Sequence, residues 1–204
     1  MQEEYNGYTI RIEQDEDPIN PREDDNLGIM LCFHKRYTLG DKTDLKYDMF
    51  DSWDAVEAHL IKKCKAKCIQ PLYMYDHSGL RIKIGSFQGF LSQGHAEFDS
   101  GQIGFIYTTP KQIRLIHGRK KLDDDKINAA LEAEVKIYDS YVSGSFVGYI
   151  IEKDDEELDS CWGYDDANYA IKDAKAVIDN YIKRQAEGEL KLEYRTIAEA
   201  VKTT

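Results

Sequence analysis

Tyr149-Ile150-Ile151-Glu152-Lys153-Asp154-Asp155-Glu156-Glu157-Leu158-Asp159-Ser160-Cys161-Trp162 reads as two strands around an acidic turn. Apolar side chains cluster on both flanks and charge fills the middle, the pattern of a β-hairpin. The period then changes. Ala170, Ile171, Ala174, Val177, Ile178, Tyr181 and Ile182 recur at helical steps, which predicts an amphipathic helix over 167–185. Gly188 follows as its expected stop, with a last short helix over 195–202. A hairpin leading into a helix belongs to an α+β fold rather than to a regular βαβ alternation.

Working outward, the chain repeats this mixture. Tyr8, Ile10 and Ile12 alternate with Thr9, Arg11 and Glu13, the period of a half-buried strand over 7–13. Leu27 to Phe33, Leu72 to Tyr75, Leu80 to Ile84 and Ile103 to Tyr107 read as further strands. Ser52 is a good N-cap for a helix starting at Trp53, with Val56, Leu60 and Cys64 on one face. Thr109-Pro110 opens a short basic helix over 110–116. Ile127, Leu131, Val135, Tyr138 and Val142 mark a helix in 123–142, with Asp123 and Asp124 at its start and Gly144 as its stop. This order predicts α+β, a mainly antiparallel sheet with amphipathic helices packed on one face. A single domain, 1–204, is expected, with an acidic N-terminal segment over 13–26.

The chain has 204 residues, 42% of them apolar and 32% charged, with 14 tyrosines. That aromatic content argues against disorder. No run of 18 apolar residues occurs, so no membrane span is expected. Met1-Gln2-Glu3-Glu4-Tyr5 lacks the basic-then-apolar start of a signal peptide, so a cytoplasmic protein is expected.

The net charge of -11 is unevenly spread. Residues 1–26 hold nine acids against two arginines, and 152–166 hold eight against one lysine. Solvated faces explain such runs in most proteins. The sharper expectation is that Asp15, Glu16, Asp17, Glu23 and Asp24 join Asp154, Asp155, Glu156 and Glu157 in one negative surface. Such a surface would meet a basic partner. The same charge disfavours direct nucleic-acid binding by the whole chain, and no interleaving of basic and aromatic residues marks a single-strand platform.

Cys32, Cys64, Cys68 and Cys161 are expected to be reduced and buried. Cys64 and Cys68 fall four apart on the same expected helix, a spacing that could give half a zinc site, but no matched second pair follows. Chemistry would sit in the polar loops beside the strands. His34, Asp76, His77 and Asp99 could supply imidazole and carboxylate ligands to a divalent metal. Ser78 or Ser100 would be the nucleophile of a Ser/His/Asp hydrolase, but no Gly-x-Ser-x-Gly elbow exists. Dinucleotide, Walker, EF-hand and HExxH patterns are also missing.

Asp17-Pro18 through Pro21-Arg22, Asp25-Asn26-Leu27-Gly28, His34-Lys35-Arg36-Tyr37 and Leu39-Gly40-Asp41 are followed by Pro71-Leu72-Tyr73-Met74-Tyr75-Asp76-His77-Ser78-Gly79, Asp99-Ser100-Gly101-Gln102-Ile103-Gly104-Phe105-Ile106-Tyr107 and Asp159-Ser160-Cys161-Trp162-Gly163. This ordered set resembles a family of uncharacterised proteins of bacteriophages and other mobile elements, over most of residues 10–185. The family has no settled activity, so the resemblance implies a setting rather than a mechanism. Its members have Cys-Pro-Trp ahead of the Asp-Ser-Gly; here Ala96-Glu97-Phe98 stands, which removes cysteine chemistry at that place.

In that setting the expected role is that of a phage or mobile-element accessory protein acting by protein binding. It would be a counter-defence inhibitor presenting its acidic surface to a host nucleic-acid-binding factor, with no cofactor. The alternative is a metal-dependent hydrolase acting on nucleotides or nucleic acid. Whether the protein is an enzyme is left open by the residues.

Overall fold

The computed structural model describes residues 1–77, 79–89, 99–118 and 121–202, with side chains up to residue 188. Ser78, Ala96, Glu97, Phe98, Arg119 and Lys120 lie outside the described residues. In chain order the strands and helices are β1 (Gln2–Tyr5), β2 (Tyr8–Gln14), β3 (Ile29–Cys32), α1 (Trp53–His59), β4 (Lys67–Asp76), β5 (Leu80–Ile84), β6 (Ser100–Thr108), α2 (Pro110–His117), α3 (Asp124–Val142), β7 (Val147–Lys153), β8 (Glu156–Tyr164) and α4 (Ala167–Lys202). The class is α+β, and every strand pairing is antiparallel. The chain divides into two compact units: Met1–Pro18 with Ser145–Thr204, and Ile19–Gly144. Each has its own four-stranded sheet and its own apolar core, which is why one stretch of chain can be set inside another.

The first unit orders its strands β1-β2-β7-β8. Asn6 and Gly7, at φ 51° and 78°, make the β1–β2 turn. Asp154 and Asp155, at φ 53° and 66°, make the β7–β8 turn. Both are two-residue turns of the mirror-image kind that suits strand twist. The acidic turn expected between these two strands is thus only two residues long, and strands occupy the rest. Tyr8, Ile10 and Ile12 of β2 and Tyr149 and Ile151 of β7 bury one face against Ala170, Ala174 and Ile178 of α4. Ile171, Val177 and Tyr181, expected in the buried stripe, are half-buried at its border. Helix α4 continues through Gly188 instead of stopping there and restarting at 195. One helical glycine costs about 1 kcal/mol relative to alanine, too little to end a helix flanked by good helix formers.

The second unit orders its strands β3-β6-β4-β5. Helices cover both faces of this sheet, where packing on one face was expected. Met30, Leu72, Ile82 and Ile106 pack against Ile127, Leu131, Val135 and Tyr138 of α3. Leu31, Phe105 and Tyr107 pack against Val56 and Leu60 on the α1 side. The cause is β6, buried at every position from Ile103 to Thr108. A strand apolar on both faces needs cover on both.

The helix starts follow the expected chemistry. Ser52 Oγ accepts from the Ala55 N–H at 3.2 Å, Thr109 Oγ1 from Gln112 at 3.1 Å, and Asp123 Oδ1 from Asp125 at 2.9 Å. After α1 the chain makes one π turn, Leu60–Cys64, and leaves through Lys65 in the left-handed region at φ 59°. Cys68 therefore lies on β4, not on a helix with Cys64, and the two-cysteine face does not form.

Arg22 joins several motif segments of this unit. Its side chain is 3% exposed and donates from Nε and Nη2 to Asp41, each at 2.9 Å, and from Nη1 to Glu134 at 2.9 Å. Its Nη2 also donates to the Gly28 carbonyl at 2.7 Å. Glu134 accepts the Leu27 N–H at 2.7 Å, and Asp41 accepts the Met30 N–H at 2.8 Å. A buried guanidinium with two carboxylates, hydrogen-bonded at each of its three nitrogens, ties the segment before β3 to α3 and to the loop at Gly40. Both glycines here are required. A Cβ on Gly28 would lie 2.7 Å from Leu131 Cδ2, and one on Gly40 (φ +69°) would lie 2.4 Å from the Met30 carbonyl oxygen. The Pro21-Arg22, Asp25-to-Gly28 and Leu39-to-Asp41 motifs thus serve this pin.

Candidate functional site

The other motifs of the second unit gather at one end of its sheet. Strand β3 runs on into Phe33, whose N–H donates to the Ile103 carbonyl at 2.7 Å. This extension carries His34 beside the start of β6. The Asp76 N–H donates to the Asp99 carbonyl at 3.0 Å, which sets the end of β4 against the same strand start. Antiparallel pairing thereby brings residues 34, 76 and 99 together although they are far apart in sequence.

Two joined hollows open there. The smaller, about 430 Å³, is lined by His34, Arg36, Asp76, Asp99, Ser100 and Gln102, among others. The larger, about 1100 Å³, is enclosed by the chain between β3 and α1. His34, Arg36 and Gln102 border both. Phe33, Tyr37, Tyr47 and Trp53 supply rings to the larger hollow, and Lys35, Arg36, Lys42 and Lys46 supply positive charge. Asp41 and Asp48 also line it, but Asp41 is held by Arg22.

The rings form ordered pairs. Tyr47 and Trp53 have centroids 4.6 Å apart, and Phe33 stacks on Trp53 at 6.1 Å. His34 stacks on Tyr37 at 5.1 Å with 14° between planes. Behind them Trp53 meets Phe105 of β6 edge-on at 5.9 Å, so the aromatic wall is anchored in the core.

Three of the four expected metal ligands, His34, Asp76 and Asp99, do line one hollow, and the fourth, His77, is bonded to Asp99. Each is otherwise engaged. Asp76 pairs with Arg36 and accepts the Tyr37 hydroxyl at 3.2 Å. His77 Nδ1 lies 3.1 Å from Asp99 Oδ2. His34 Nδ1 accepts the N–H groups of Arg36 and Tyr37, both at 3.3 Å. That leaves the proton on Nε2, whereas a metal at Nε2 requires it on Nδ1. Among the described residues no group of three or more His, Cys, Asp or Glu side chains is arranged to hold a metal ion.

The cysteines offer no activated thiol at this site. Burial, and then Asp41 nearby, pushes the Cys32 thiol up to about 12. Burial and then Asp124 raise Cys68 as well. A thiol held neutral is a poor nucleophile. None of the four cysteines is fully buried as expected: Cys32, Cys64 and Cys68 are half-buried, and Cys161 is exposed on β8.

Within the first unit the acidic residues fall in two separate groups. Glu16, Asp17, Glu23, Asp24, Asp154, Asp155, Glu156 and Glu157 are exposed, and Asp15 is half-buried. In the first unit Gln14 pairs with Val147, and the Asp15 N–H donates to the Phe146 carbonyl at 2.8 Å. The 154–155 turn follows Lys153 at the other end of β7. Seven residues of strand, about 3.3 Å each, separate the two groups. Glu23 and Asp24 belong to the second unit. Antiparallel register thus sets Asp15–Asp17 and Asp154–Glu157 at opposite ends of one ladder.

Two features went unread in the sequence. The Arg22 pin depends on Glu134, 112 residues away, and no local signal announces it. The cleft had a readable one: Phe33-His34-Lys35-Arg36-Tyr37, Lys42, Lys46-Tyr47, Phe50 and Trp53 do interleave rings with cations inside 21 residues. No protein-family model, curated protein or solved structure matches this chain.

Proposed function

We propose that the protein is a non-catalytic binding protein whose target is held in the cleft between β3 and α1. The observation that carries this reading is the meeting of four aromatic rings and four cationic side chains around one hollow of about 1100 Å³. Concave sites with apolar walls and a few polar groups are the usual places for ligands. Four cations against Asp41 and Asp48 give this lining a positive balance within a chain of net charge -11. The mutual pairing of Arg36 with Asp76 and of His77 with Asp99 favours holding over reacting.

The phage or mobile-element setting is what the motif resemblance implies. In that setting the target belongs to the host; a nucleic-acid-binding factor, the target of a counter-defence inhibitor, is itself basic and suits an acidic surface rather than this cationic cleft. No helix among the described residues is long and apolar enough to cross a membrane.

The β7–β8 hairpin favours a second reading. Asp154, Asp155, Glu156 and Glu157 are all exposed, and Leu158 and Trp162 on the adjoining sheet-edge strand are 42% and 45% exposed. A basic protein partner would suit this tip.

Affinity capture from bacterial lysate separates the two. Arg36→Glu/Lys42→Glu alters the cleft, and Glu156→Lys/Glu157→Lys alters the hairpin. Loss of the captured target in the cleft variant alone supports the main reading. Loss in the hairpin variant alone overturns it in favour of the acidic tip.

A further inference from the structure

The walls of the cleft define the chemistry of what would fill it. Lys35, Lys42 and Lys46 are exposed at its border, and none of them makes a salt bridge among the described residues. Arg36 differs, being paired with Asp76. Three such ammonium groups against one exposed carboxylate, Asp48, leave the border positive, which suits an anion such as phosphate. Phosphate alone leaves the rings without a role. Tyr37 and Tyr47 are 37% and 40% exposed although each belongs to a ring pair. Exposed rings in a cleft are stacking platforms for flat heterocycles.

Together these features require a ligand with a planar ring at one end and negative charge at the other. The adjoining polar hollow, bordered by Ser100 and Gln102, suits hydroxyl and amide-like groups between those ends. The larger hollow, at about 1100 Å³, lies just above the span of about 300–1,000 Å³ usual for small-molecule sites. It has room for a base, a sugar and phosphates.

Resting on the cleft reading above, we infer that the ligand is a nucleotide, its base against the Tyr47–Trp53 wall and its phosphates among Lys35, Lys42 and Lys46. The same chemistry is offered by a free nucleotide and by the 5′-phosphorylated end of a single strand.

Trp53 provides the probe. The chain has two tryptophans, so Trp162→Phe leaves Trp53 as the one reporter in an otherwise intact protein. Its fluorescence is titrated with ATP, with a 5′-phosphorylated single-stranded oligonucleotide, with adenosine and with inorganic phosphate. Saturable quenching by ATP or by the oligonucleotide is expected, with adenosine and phosphate each binding roughly tenfold or more weakly. Tighter binding of ATP assigns the free nucleotide, and tighter binding of the oligonucleotide assigns the strand end. The exposed pair Lys42→Glu/Lys46→Glu should weaken the tighter ligand roughly tenfold or more, as loss of charge-assisted hydrogen bonds implies.

Three outcomes overturn the inference: no saturable response to either nucleotide ligand, equal binding of phosphate alone, or unchanged affinity in the lysine variant with its circular dichroism intact. If no nucleotide binds and the Arg36→Glu/Lys42→Glu variant still loses its captured target, the cleft remains the binding site and only its ligand has been misassigned. If that variant keeps its target, the cleft reading itself fails.

Discussion

The two units solve the same packing problem in different ways. In the first, strands β2 and β7 alternate, and one helix presents Ala170, Ala174 and Ile178 to their apolar face. The buried members of that core are aliphatic side chains and two tyrosines, and all come from a simple period. In the second, the central strand is buried on both faces, two layers of helix cover it, and a buried guanidinium with two carboxylates holds the preceding loop in place. The first unit rests on pattern, the second on pattern plus one long-range polar network. Among the described residues, the second keeps exposed rings and cations without a salt bridge around one hollow. Rigid loops beside a fully packed sheet are where binding sites can be held without collapsing.

The comparison can be broken most directly at Ile178, which is fully buried. Ile178→Asp puts a carboxylate into a core with no polar partner, at a cost of several kcal/mol. We expect loss of cooperative thermal unfolding and of amide-exchange protection in β2 and β7. Protection as in the wild type would contradict the placement of α4.

In the second unit the matching substitution is Arg22→Ala. It leaves Asp41 and Glu134 facing each other without their cation, and breaking such a buried set costs about 3–5 kcal/mol. Urea unfolding should shift by that amount, with exchange rising first in β3. A shift under 1 kcal/mol would make the pin an ornament of the loop rather than its support.

A smaller effect follows from Cys32. Burial lifts its thiol from 9.0 to about 12, so the fold favours the neutral form. The stability this gives is present below pH 9 and is lost as pH rises toward 12. Cys32→Ala should flatten the fall in urea midpoint over that window, beyond any constant offset from lost packing. At neutral pH iodoacetamide should modify exposed Cys161 well before Cys32, as read by mass spectrometry. Equal rates would show that Cys32 is not shielded.

The smallest effect belongs to the hairpin. Glu156→Lys and Glu157→Lys are exposed changes, each expected to alter stability by no more than about 0.5 kcal/mol. Asp154 and Asp155 are different because their φ angles are positive, so Asp155→Gly should be neutral or stabilising. A large loss in thermal stability from the glutamate changes would mean that the hairpin acids serve the fold.

Much of this architecture was readable from local chemistry. Caps at Ser52, Thr109 and Asp123, the alternation at Tyr8, Ile10 and Ile12, and the steps from Ile127 to Tyr138 each report a neighbour within a few residues. Strand β1 was readable too, since Asn6-Gly7 is a strong hairpin signal, but a four-residue edge strand carries too little pattern to stand out beside it. Gly188 misled because a weak local preference was weighed without the helix around it.

What the amino-acid order determined by itself was therefore the kind of each element, the α+β class and the identity of the apolar faces, because these depend on periods of two and 3.6 residues along the chain. What only the tertiary structure decided was which elements share a sheet, and so which polar residues meet. The division into two units, the ends of the ladder at which Asp15 and Asp154 fall, the pairing of Arg22 with Glu134, and the gathering of residues 34, 76 and 99 are all consequences of strand register and order. Register is set by the burial of whole faces at once, a sum over contacts distant in sequence that no local window contains.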